Sequence, residues 1–223
     1  RRSVLAAWLT DPKNPLPARV MANRIWHYHF GRGIVATPGD FGRMGQRPTH
    51  PELLDYLAST FVEGGWKMKA MHRMILLSNT YQQSSATQEA AAKVDPDNKL
   101  LWRYGRHRME AEAIRDSMLF VSGKLNPQMG GPGVFPPRPA GTANKNAWKQ
   151  NEDPAEANRR SVYIFVRRNA RYPLLESFDM PDTHESCARR LPTVSVTQSL
   201  AMLNDDLVLE WARAMAARVW NDG

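Results

Sequence analysis

Apolar residues recur every three or four positions in several separate stretches, and this period constrains the fold more than any other feature. Such a recurrence places apolar side chains on one face of an α-helix. Glycine and proline separate the stretches and indicate where each helix begins and ends. The pattern predicts a mainly α fold: a single helical domain of residues 1–223 with about six to seven helices.

The clearest helix start is Thr49-His50-Pro51-Glu52, which has the spacing of a capping box. In that motif the Thr49 side chain accepts an orphan backbone amide, and Glu52 reaches back to the cap amide. Gly64-Gly65 then ends the helix and indicates a helical hairpin with the next one. The predicted helices are Ser3–Leu9, Leu16–Phe30, a helix from the Thr49 cap to Val62, Lys67–Gln83, Arg108–Gly123 and Thr197–Trp220.

Two segments depart from the helical pattern. Residues 126–158 contain a run of glycine and proline that forbids regular structure, and the segment is too long for an ordinary connection. It is interpreted as either a functional loop or a disordered one. Residues 159–172 form a predicted short strand region, because Ser161–Val166 is rich in β-branched and aromatic residues.

The charge is strongly positive and uneven. The formal net charge is +8, and Arg outnumbers Lys by 22 to 8. Guanidinium groups suit bidentate pairing with carboxylate, sulfate or phosphate, so anionic partners are plausible for residues 1–50 and 101–150. The alternative is that many arginines lie in internal ion pairs or on solvated helix faces. No apolar run reaches the roughly 20 residues that span a bilayer, so no integral membrane segment is expected.

A row of polar residues interrupts an otherwise apolar helix. Arg19, Asn23 and His27 follow one another at intervals of four, which places them on one face. One interpretation is a binding groove. The other is a structural network that clamps the following glycine-rich loop onto the helix, since buried polar groups need partners.

Further candidate ligand-binding residues are Asp40, His50, Asp179 and Asp182. Asp40 lies in the glycine-rich loop, and His50 falls in the first turn after a predicted cap. Asp179 and Asp182 flank a proline turn, where they are either acid and base or ordinary turn residues. No metal site is predicted: on a helix, His27 and His29 diverge by about 200°. The catalytic residues are unknown.

Common motifs of enzymes and nucleic-acid modules are missing. The sequence contains no P-loop, no nucleophile elbow and no dinucleotide fingerprint. Arginines and aromatic residues mix around Trp102 and Tyr104, but no nucleic-acid module signature accompanies them, so no nucleic-acid partner is expected. The single Cys187 excludes an internal disulfide.

Short motifs along nearly the whole chain resemble one family. It is the C-terminal domain of unknown function of planctomycete-type secreted proteins that carry a cytochrome-c-like domain. The motifs are Asn14-Pro15-Leu16, Asn23-Arg24-Ile25-Trp26, His29-Phe30-Gly31-Arg32-Gly33, Asp40-Phe41-Gly42, Pro48-Thr49-His50-Pro51-Glu52, Ser78-Asn79-Thr80-Tyr81, Arg108-Met109-Glu110-Ala111-Glu112, Arg160-Ser161-Val162-Tyr163, Phe178-Asp179 and Leu203-Asn204.

This resemblance implies an exported parent protein, periplasmic or secreted, of which the chain is a fragment. It implies haem c only in a separate upstream domain, and the chain itself has no Cys-x-x-Cys-His. No cofactor is therefore expected in this domain. The family has no assigned catalytic residues to carry over.

Three functions are compatible with the sequence. The preferred one is a noncatalytic binding or docking module for an anionic glycan or an acidic protein partner. The second is a hydrolase-like enzyme domain acting on polysaccharide, with a site formed by the Arg19/Asn23/His27 helix, the Asp40 loop and the Asp179/Asp182 turn. The third is a purely structural partner of the upstream domains, for which an exposed apolar patch would be the sign.

Overall fold

The computed structural model describes residues 1–138 and 148–222, and its regular structure is almost entirely helical. The predicted mainly α class is confirmed. Eleven α-helices lie within the described residues, more than the six to seven expected, because helices of four to six residues are too short to show a period. They are α1 (Arg2–Leu9), α2 (Leu16–Phe30), α3 (Pro51–Glu63), α4 (Met68–Leu76), α5 (Asn79–Gln82), α6 (Glu89–Val94), α7 (Ala111–Val121), α8 (Pro154–Ala157), α9 (Pro173–Ser177), α10 (Val196–Asn204) and α11 (Asp206–Asp222).

The helices group into two units, Arg1–His107 (unit 1) and Arg108–Gly223 (unit 2). Unit 1 contains α1 to α6, and unit 2 contains α7 to α11. Each unit has its own cluster of buried apolar side chains. The single domain of residues 1–223 stays a prediction. Coincident unfolding transitions of the two units would support it.

Helix α2 is the centre of unit 1. It packs mainly against α3 and also against α4. Its buried side chains occur on more than one face, as expected for a helix with apolar residues almost all round. The core they form with α3 and α4 contains Ala18, Ala22, Ile25, Trp26, Phe30, Leu54, Leu57, Phe61, Met71 and Ile75.

The glycine-rich segment after α2 is fixed to that helix. Gly31 ends α2 in the left-handed conformation, with φ of 73°, and its amide donates to the carbonyl of His27. Two residues on, Gly33 approaches the fully buried Asn23 so closely that a Cβ there would lie 2.7 Å from Asn23 Nδ2. Only glycine fits this approach without displacement.

Unit 2 is built on α7, which contacts α9, α11 and a 3-10 helix at Ser161–Tyr163. The predicted strand Ser161–Val166 is wrong. The strand-like pairs described for residues 159–172 are three isolated bridges, Asn126 with Arg159, Val134 with Ile164, and Arg167 with Ala170. The Asp116 carboxylate accepts the Ser161 amide at 2.7 Å, which holds the segment in a turn. A strand needs a partner along its whole length, and in the described chain Val134 pairs with this segment at one bridge only, through the Tyr163 carbonyl and the Phe165 amide.

Several predicted helix boundaries also need correction. The Thr49 capping box does not form: Thr49 Oγ1 donates to the Ile34 carbonyl, and His50 is the N-cap of α3 without a side-chain cap bond. Predicted helix Lys67–Gln83 is interrupted because Ser78 Oγ accepts the Tyr81 amide and starts α5. Predicted helix Thr197–Trp220 breaks at Asp205, whose carboxylate caps α11 through the Leu207 amide.

The described ends of the long loop 126–158 are packed into unit 2. Val134 and Trp148 are buried, and Trp148 Nε1 donates to the Pro136 carbonyl at 2.8 Å. The loop also contains α8, which the sequence did not predict. Residues 139–147 of the loop lie outside the described residues. Separately, no helix within the described ranges has the length and apolar character needed to cross a membrane.

Candidate functional site

A cleft of about 380 Å³ lies in unit 1 beside the C-terminal end of α2. Its apolar lining comes mainly from Trp26 and Phe30 of that helix. Further lining comes from residues 31–34 and 49–50 and from the loop of residues 96–107. The volume falls within the range of about 300–1,000 Å³ that small-molecule sites usually have.

The lining of this cleft is strongly cationic. Four basic side chains and two histidines contribute to it: Arg32, Lys99, Arg103, Arg106, His50 and His107. The single acidic residue of the lining is Asp97, and it pairs with Lys99 at 3.1 Å. Within the described residues, no ion pair involves Arg32, Arg103 or Arg106. The basic cleft therefore presents positive charge that the described chain does not neutralise by direct pairing.

The loop that carries most of these cations is ordered around Asp95. Its carboxylate accepts the backbone amides of Leu100 at 2.7 Å and Lys99 at 2.9 Å. The bond from Leu100 is the main reason that the pKa of Asp95 lies below its ordinary value, although partial burial acts in the opposite direction. Trp102 Nε1 also donates to the Asp95 carbonyl at 2.9 Å. The cleft wall is thus fixed by bonds within its own loop.

Two residues of this loop have left-handed backbone conformations, Asn98 with φ of 53° and Leu101 with φ of 55°. Asparagine tolerates this conformation, and Asn98 Nδ2 further donates to the Arg103 carbonyl at 2.9 Å. Leucine does not favour it, so the backbone at Leu101 is strained. Strained residues concentrate at functional sites, where the surrounding structure maintains them. Leu101 itself lines the cleft.

Tyr104 ties the loop to the end of α2. Its hydroxyl donates to the His29 carbonyl at 2.9 Å, and its ring packs edge-on against Tyr81. Burial, with a smaller contribution from Tyr81, raises the pKa of Tyr104 to about 12. Arg103 beside it is positioned by its own contacts: the guanidinium lies 4.9 Å from the centre of the Trp102 ring and donates to Thr87 Oγ1.

The predicted polar row of α2 serves separate purposes. Asn23 exchanges two hydrogen bonds with the backbone of Val35, at 2.8 and 3.0 Å, and so clamps the glycine-rich loop. Arg19 pairs with Asp55 of α3 at 2.6 Å and lines a smaller pocket. His27 is half-buried, with its ring edge-on to Tyr28. Among the described contacts, these three residues do not form one binding groove.

Asp40 and His50 also belong to unit 1, but only His50 lines the basic cleft. The Asp40 carboxylate accepts the Gly42 amide at 2.7 Å within its own turn. His50 lines the basic cleft, and its Nδ1 lies 3.0 Å from Thr49 Oγ1. Of the seven predicted ligand-binding residues, His50 is the member found in that cleft.

Asp179 and Asp182 belong to unit 2, and both act as turn residues. Asp179 has a left-handed backbone, with φ of 63°, and its carboxylate accepts the Thr193 amide at 2.6 Å and the Thr193 hydroxyl at 2.8 Å. Asp182 accepts the His184 amide at 2.9 Å, and this bond is the main reason that the pKa of Asp182 is lowered. These contacts join neighbouring loop segments.

Histidine appears in one further pair that the sequence did not reveal. His29 Nε2 lies 2.8 Å from His72 Nδ1, between α2 and α4. Desolvation, and then the proximity of His72, lowers the pKa of His29. Within the described residues no group of three or more His, Cys, Asp or Glu side chains has the arrangement of a metal site.

The loop of residues 95–107 contains most of what the sequence reasoning missed. Arg103 and Arg106 lie within the basic residues 101–150, for which the sequence predicts anionic partners, but neither is among the seven predicted ligand-binding residues. The signal for order was Asp95, because an aspartate ahead of an Asn-Lys-Leu segment can accept successive backbone amides. Nothing in the periodicity indicates that this loop meets the end of α2, a contact between distant parts of unit 1.

These features define a helical protein with a preordered cationic cleft in unit 1. The family model described as "Protein of unknown function (DUF1553)", named PSD1, matches residues 1–223, so the chain belongs to that family. This confirms the resemblance to a domain of unknown function. The chain matches no curated protein and no solved structure.

Proposed function

We propose that the chain is a noncatalytic binding module that takes an anionic group in the basic cleft of unit 1. The observation that carries the proposal is the lining itself, in which Arg32, Arg103 and Arg106 are outside the ion pairs described for the chain. Guanidinium groups fit carboxylate, sulfate and phosphate oxygens in a bidentate manner.

The order of the cleft further supports a binding role. The bonds to Asp95 and the contacts of Arg103 and Tyr104 position the loop before any ligand arrives. A ligand then finds its partners in place, so binding costs less conformational entropy. The apolar contribution of Trp26 and Phe30 suits a ligand that has a carbon skeleton beside its charge.

The ligand class we propose is an acidic residue of a glycan, or an acidic side chain of a protein partner. The cleft volume suits one such group with its neighbours rather than a long polymer segment. In an exported parent protein with an upstream haem domain, as the sequence resemblance implies, an extracellular polysaccharide is the more accessible of the two.

The hydrolase alternative receives less support. It requires carboxylates available as acid and base, whereas Asp40, Asp179 and Asp182 each accept hydrogen bonds from their own loops. We therefore place recognition ahead of catalysis.

A second role, contact with the upstream domains of the same chain, is supported by α1. No residue of this helix is buried, and its apolar side chains Val4, Leu5 and Trp8 are exposed to solvent. Exposed apolar clusters commonly mark interaction surfaces. This role would accompany ligand binding and does not compete for the basic cleft.

The proposal is tested by measuring binding of sulfated, carboxylated and neutral polysaccharides at about 50 mM and about 300 mM NaCl, where screening differs strongly. The test variant is Arg32→Gln/Arg106→Gln. Its matched control is Arg24→Gln/Arg43→Gln, which removes the same charge from exposed positions outside the cleft lining. We expect salt-sensitive binding of an anionic polysaccharide that weakens at least about tenfold in the test variant alone.

Equal loss in both double variants would reduce the binding to general charge attraction and contradict a defined site. Binding that is independent of the cleft arginines would do the same. Absence of binding to every anionic polysaccharide would remove the glycan form of the proposal.

A further inference from the structure

A second, smaller pocket of about 210 Å³ lies in unit 1 and shares two chain segments with the basic cleft. In the first segment Ile34 lines the cleft, while its neighbour Val35 lines the small pocket. In the second, Thr49 and His50 line the cleft, whereas Pro48 and Pro51 line the small pocket. The two cavities are therefore separated by these two segments.

The small pocket differs from the cleft in charge. Its charged lining residues are Arg19 and Asp55, whose Nε and Oδ1 atoms lie 2.6 Å apart. These charges balance each other, so the pocket offers no net attraction for an anion. Both side chains are partly exposed, at 40% and 53%. An uncharged polar ligand is therefore favoured over an anionic one.

Hydrogen-bonding capacity remains for such a ligand. The Arg19–Asp55 contact uses Nε and Oδ1, while the terminal nitrogens of Arg19 and Oδ2 of Asp55 take part in no hydrogen bond described for the chain. Gln46 uses its backbone amide to bond Thr37 Oγ1, and its side chain has no described hydrogen bond. The pocket thus offers hydrogen-bond donors from Arg19, an acceptor from Asp55, and a side-chain amide of Gln46 that can both donate and accept.

The rest of the lining is apolar and includes an aromatic ring. Phe41 and Leu54 contribute to it together with Val35 and the two prolines. An aromatic side chain next to donors and acceptors suits a ring that has C–H groups on one face and hydroxyls at its edge. The volume lies below the usual range for drug-sized ligands, which limits the occupant to a single ring.

We propose that this small pocket binds one uncharged, hydroxyl-bearing sugar ring through Arg19, Asp55, Gln46 and Phe41. The hydroxyls bond the polar edge, and the C–H face of the ring lies against Phe41. This binding is independent of the anion site and requires no cation of the basic cleft. If both sites are occupied, the chain recognises neutral and acidic sugars separately.

Saturation-transfer NMR with the whole chain tests the inference. The probes are the methyl glycosides of glucose, galactose, mannose, xylose and glucuronic acid, with an N-acetylated dipeptide amide as a non-sugar probe. The variants are Gln46→Ala and Phe41→Leu, and Arg47→Ala is the control at an exposed neighbour outside the pocket lining. Circular dichroism verifies that each variant is folded.

We expect at least one neutral glycoside to bind, with affinity lowered about tenfold or more in Gln46→Ala and Phe41→Leu. Binding should be unchanged in Arg47→Ala, in Arg32→Gln/Arg106→Gln and at higher salt. The inference is overturned if no neutral glycoside binds, if the two pocket variants bind like the wild type, or if the dipeptide alone binds. Binding of the glucuronide alone, lost in the cleft variant, would support the anion site and overturn this one.

Discussion

The two units use arginine in opposite ways. In unit 2, Arg115 and Arg159 are only 1% exposed and direct their guanidinium groups at backbone carbonyls. In unit 1, Arg32, Arg103 and Arg106 line an open cleft. The same side chain thus fixes loops in one unit and presents charge in the other.

Arg115 shows the internal use most clearly. Its terminal nitrogens donate to the carbonyls of Ala157 at 2.8 Å and Arg159 at 3.0 Å, and to Ser161 Oγ at 3.1 Å. The guanidinium also lies within 6 Å of the ring centres of Tyr172 and Trp211. The nearest paired carboxylate, Asp116, is 3.9 Å away. Carbonyl dipoles and aromatic faces therefore replace a close counter-ion.

This contrast shows that net charge alone does not locate a binding surface. The chain has a net charge of +8, but Arg190 is bound to Glu112 and Arg171 to Glu176. Desolvation acts to raise the pKa of Glu112, but the hydrogen bond and charge of Arg190, together with a backbone hydrogen bond, outweigh it and leave that pKa below its ordinary value. What distinguishes the basic cleft is the small number of carboxylates beside its cations.

Arg115→Met gives the largest effect that we predict. It leaves the carbonyls of Ala157 and Arg159 without their buried donor, so we expect the free energy of unfolding to fall by about 3–5 kcal/mol. Urea denaturation followed by circular dichroism measures it. The matched change in unit 1, Arg24→Met at an exposed position of α2, should stay within about 0.5 kcal/mol. A loss below about 1 kcal/mol in Arg115→Met would show that the hydrogen bonds from Arg115 to the Ala157 and Arg159 carbonyls are not essential to the stability of the fold.

The periodic signal predicted the fold class and the long helices well. Helix α2 has the predicted limits because Pro15 and Pro17 precede or begin it and Gly31 ends it, and these residues act locally. Short helices and the breaks at Ser78 and Asp205 were missed. A side-chain oxygen can cap a new helix inside an apolar period without changing that period.

The binding surface was harder to predict than the fold. The sequence indicated Arg19 as part of a polar row on a helix and His50 as a residue in the first turn after a cap, but it could not indicate that Arg19 pairs with Asp55. The basic cleft depends on residues 96–107 meeting the end of α2, which a periodic pattern does not encode. The strand at Ser161–Val166 failed for a similar reason: a distant carboxylate, that of Asp116, fixes the turn.

Gly33→Ala tests the packing of the glycine-rich loop that lines the basic cleft, and we expect it to lower the free energy of unfolding by an intermediate amount. The added Cβ would lie 2.5 Å from the Val35 carbonyl oxygen and 2.8 Å from Asn23 Oδ1, both part of the loop clamp. We expect a loss of about 1–3 kcal/mol in the free energy of unfolding. Gly105→Ala is the control in the same cleft, because its nearest neighbour is 3.7 Å away. Equal stability of Gly33→Ala and Gly105→Ala would contradict tight packing around Gly33.

The smallest effect that we predict concerns the pH dependence of the stability of unit 1, which we expect to depend on His29. Burial, with help from His72, lowers the pKa of His29 below 6.5, so the fold favours the neutral ring. The unfolded chain therefore takes up the proton first as the pH falls. The stabilisation is complete above about pH 6.5 and is lost as the pH falls through the lowered pKa.

Urea denaturation at about pH 7.5 and about pH 5.5 measures this loss, because the two values lie on either side of the ordinary histidine pKa. His72→Gln keeps a hydrogen-bonding partner for His29 but removes the second titrating ring. We expect this variant to lose less stability between the two pH values than the wild type. His184→Gln, at an exposed position of unit 2, should follow the wild type. Identical pH dependence in the wild type and His72→Gln would show that the His29–His72 contact does not couple protonation to the stability of unit 1.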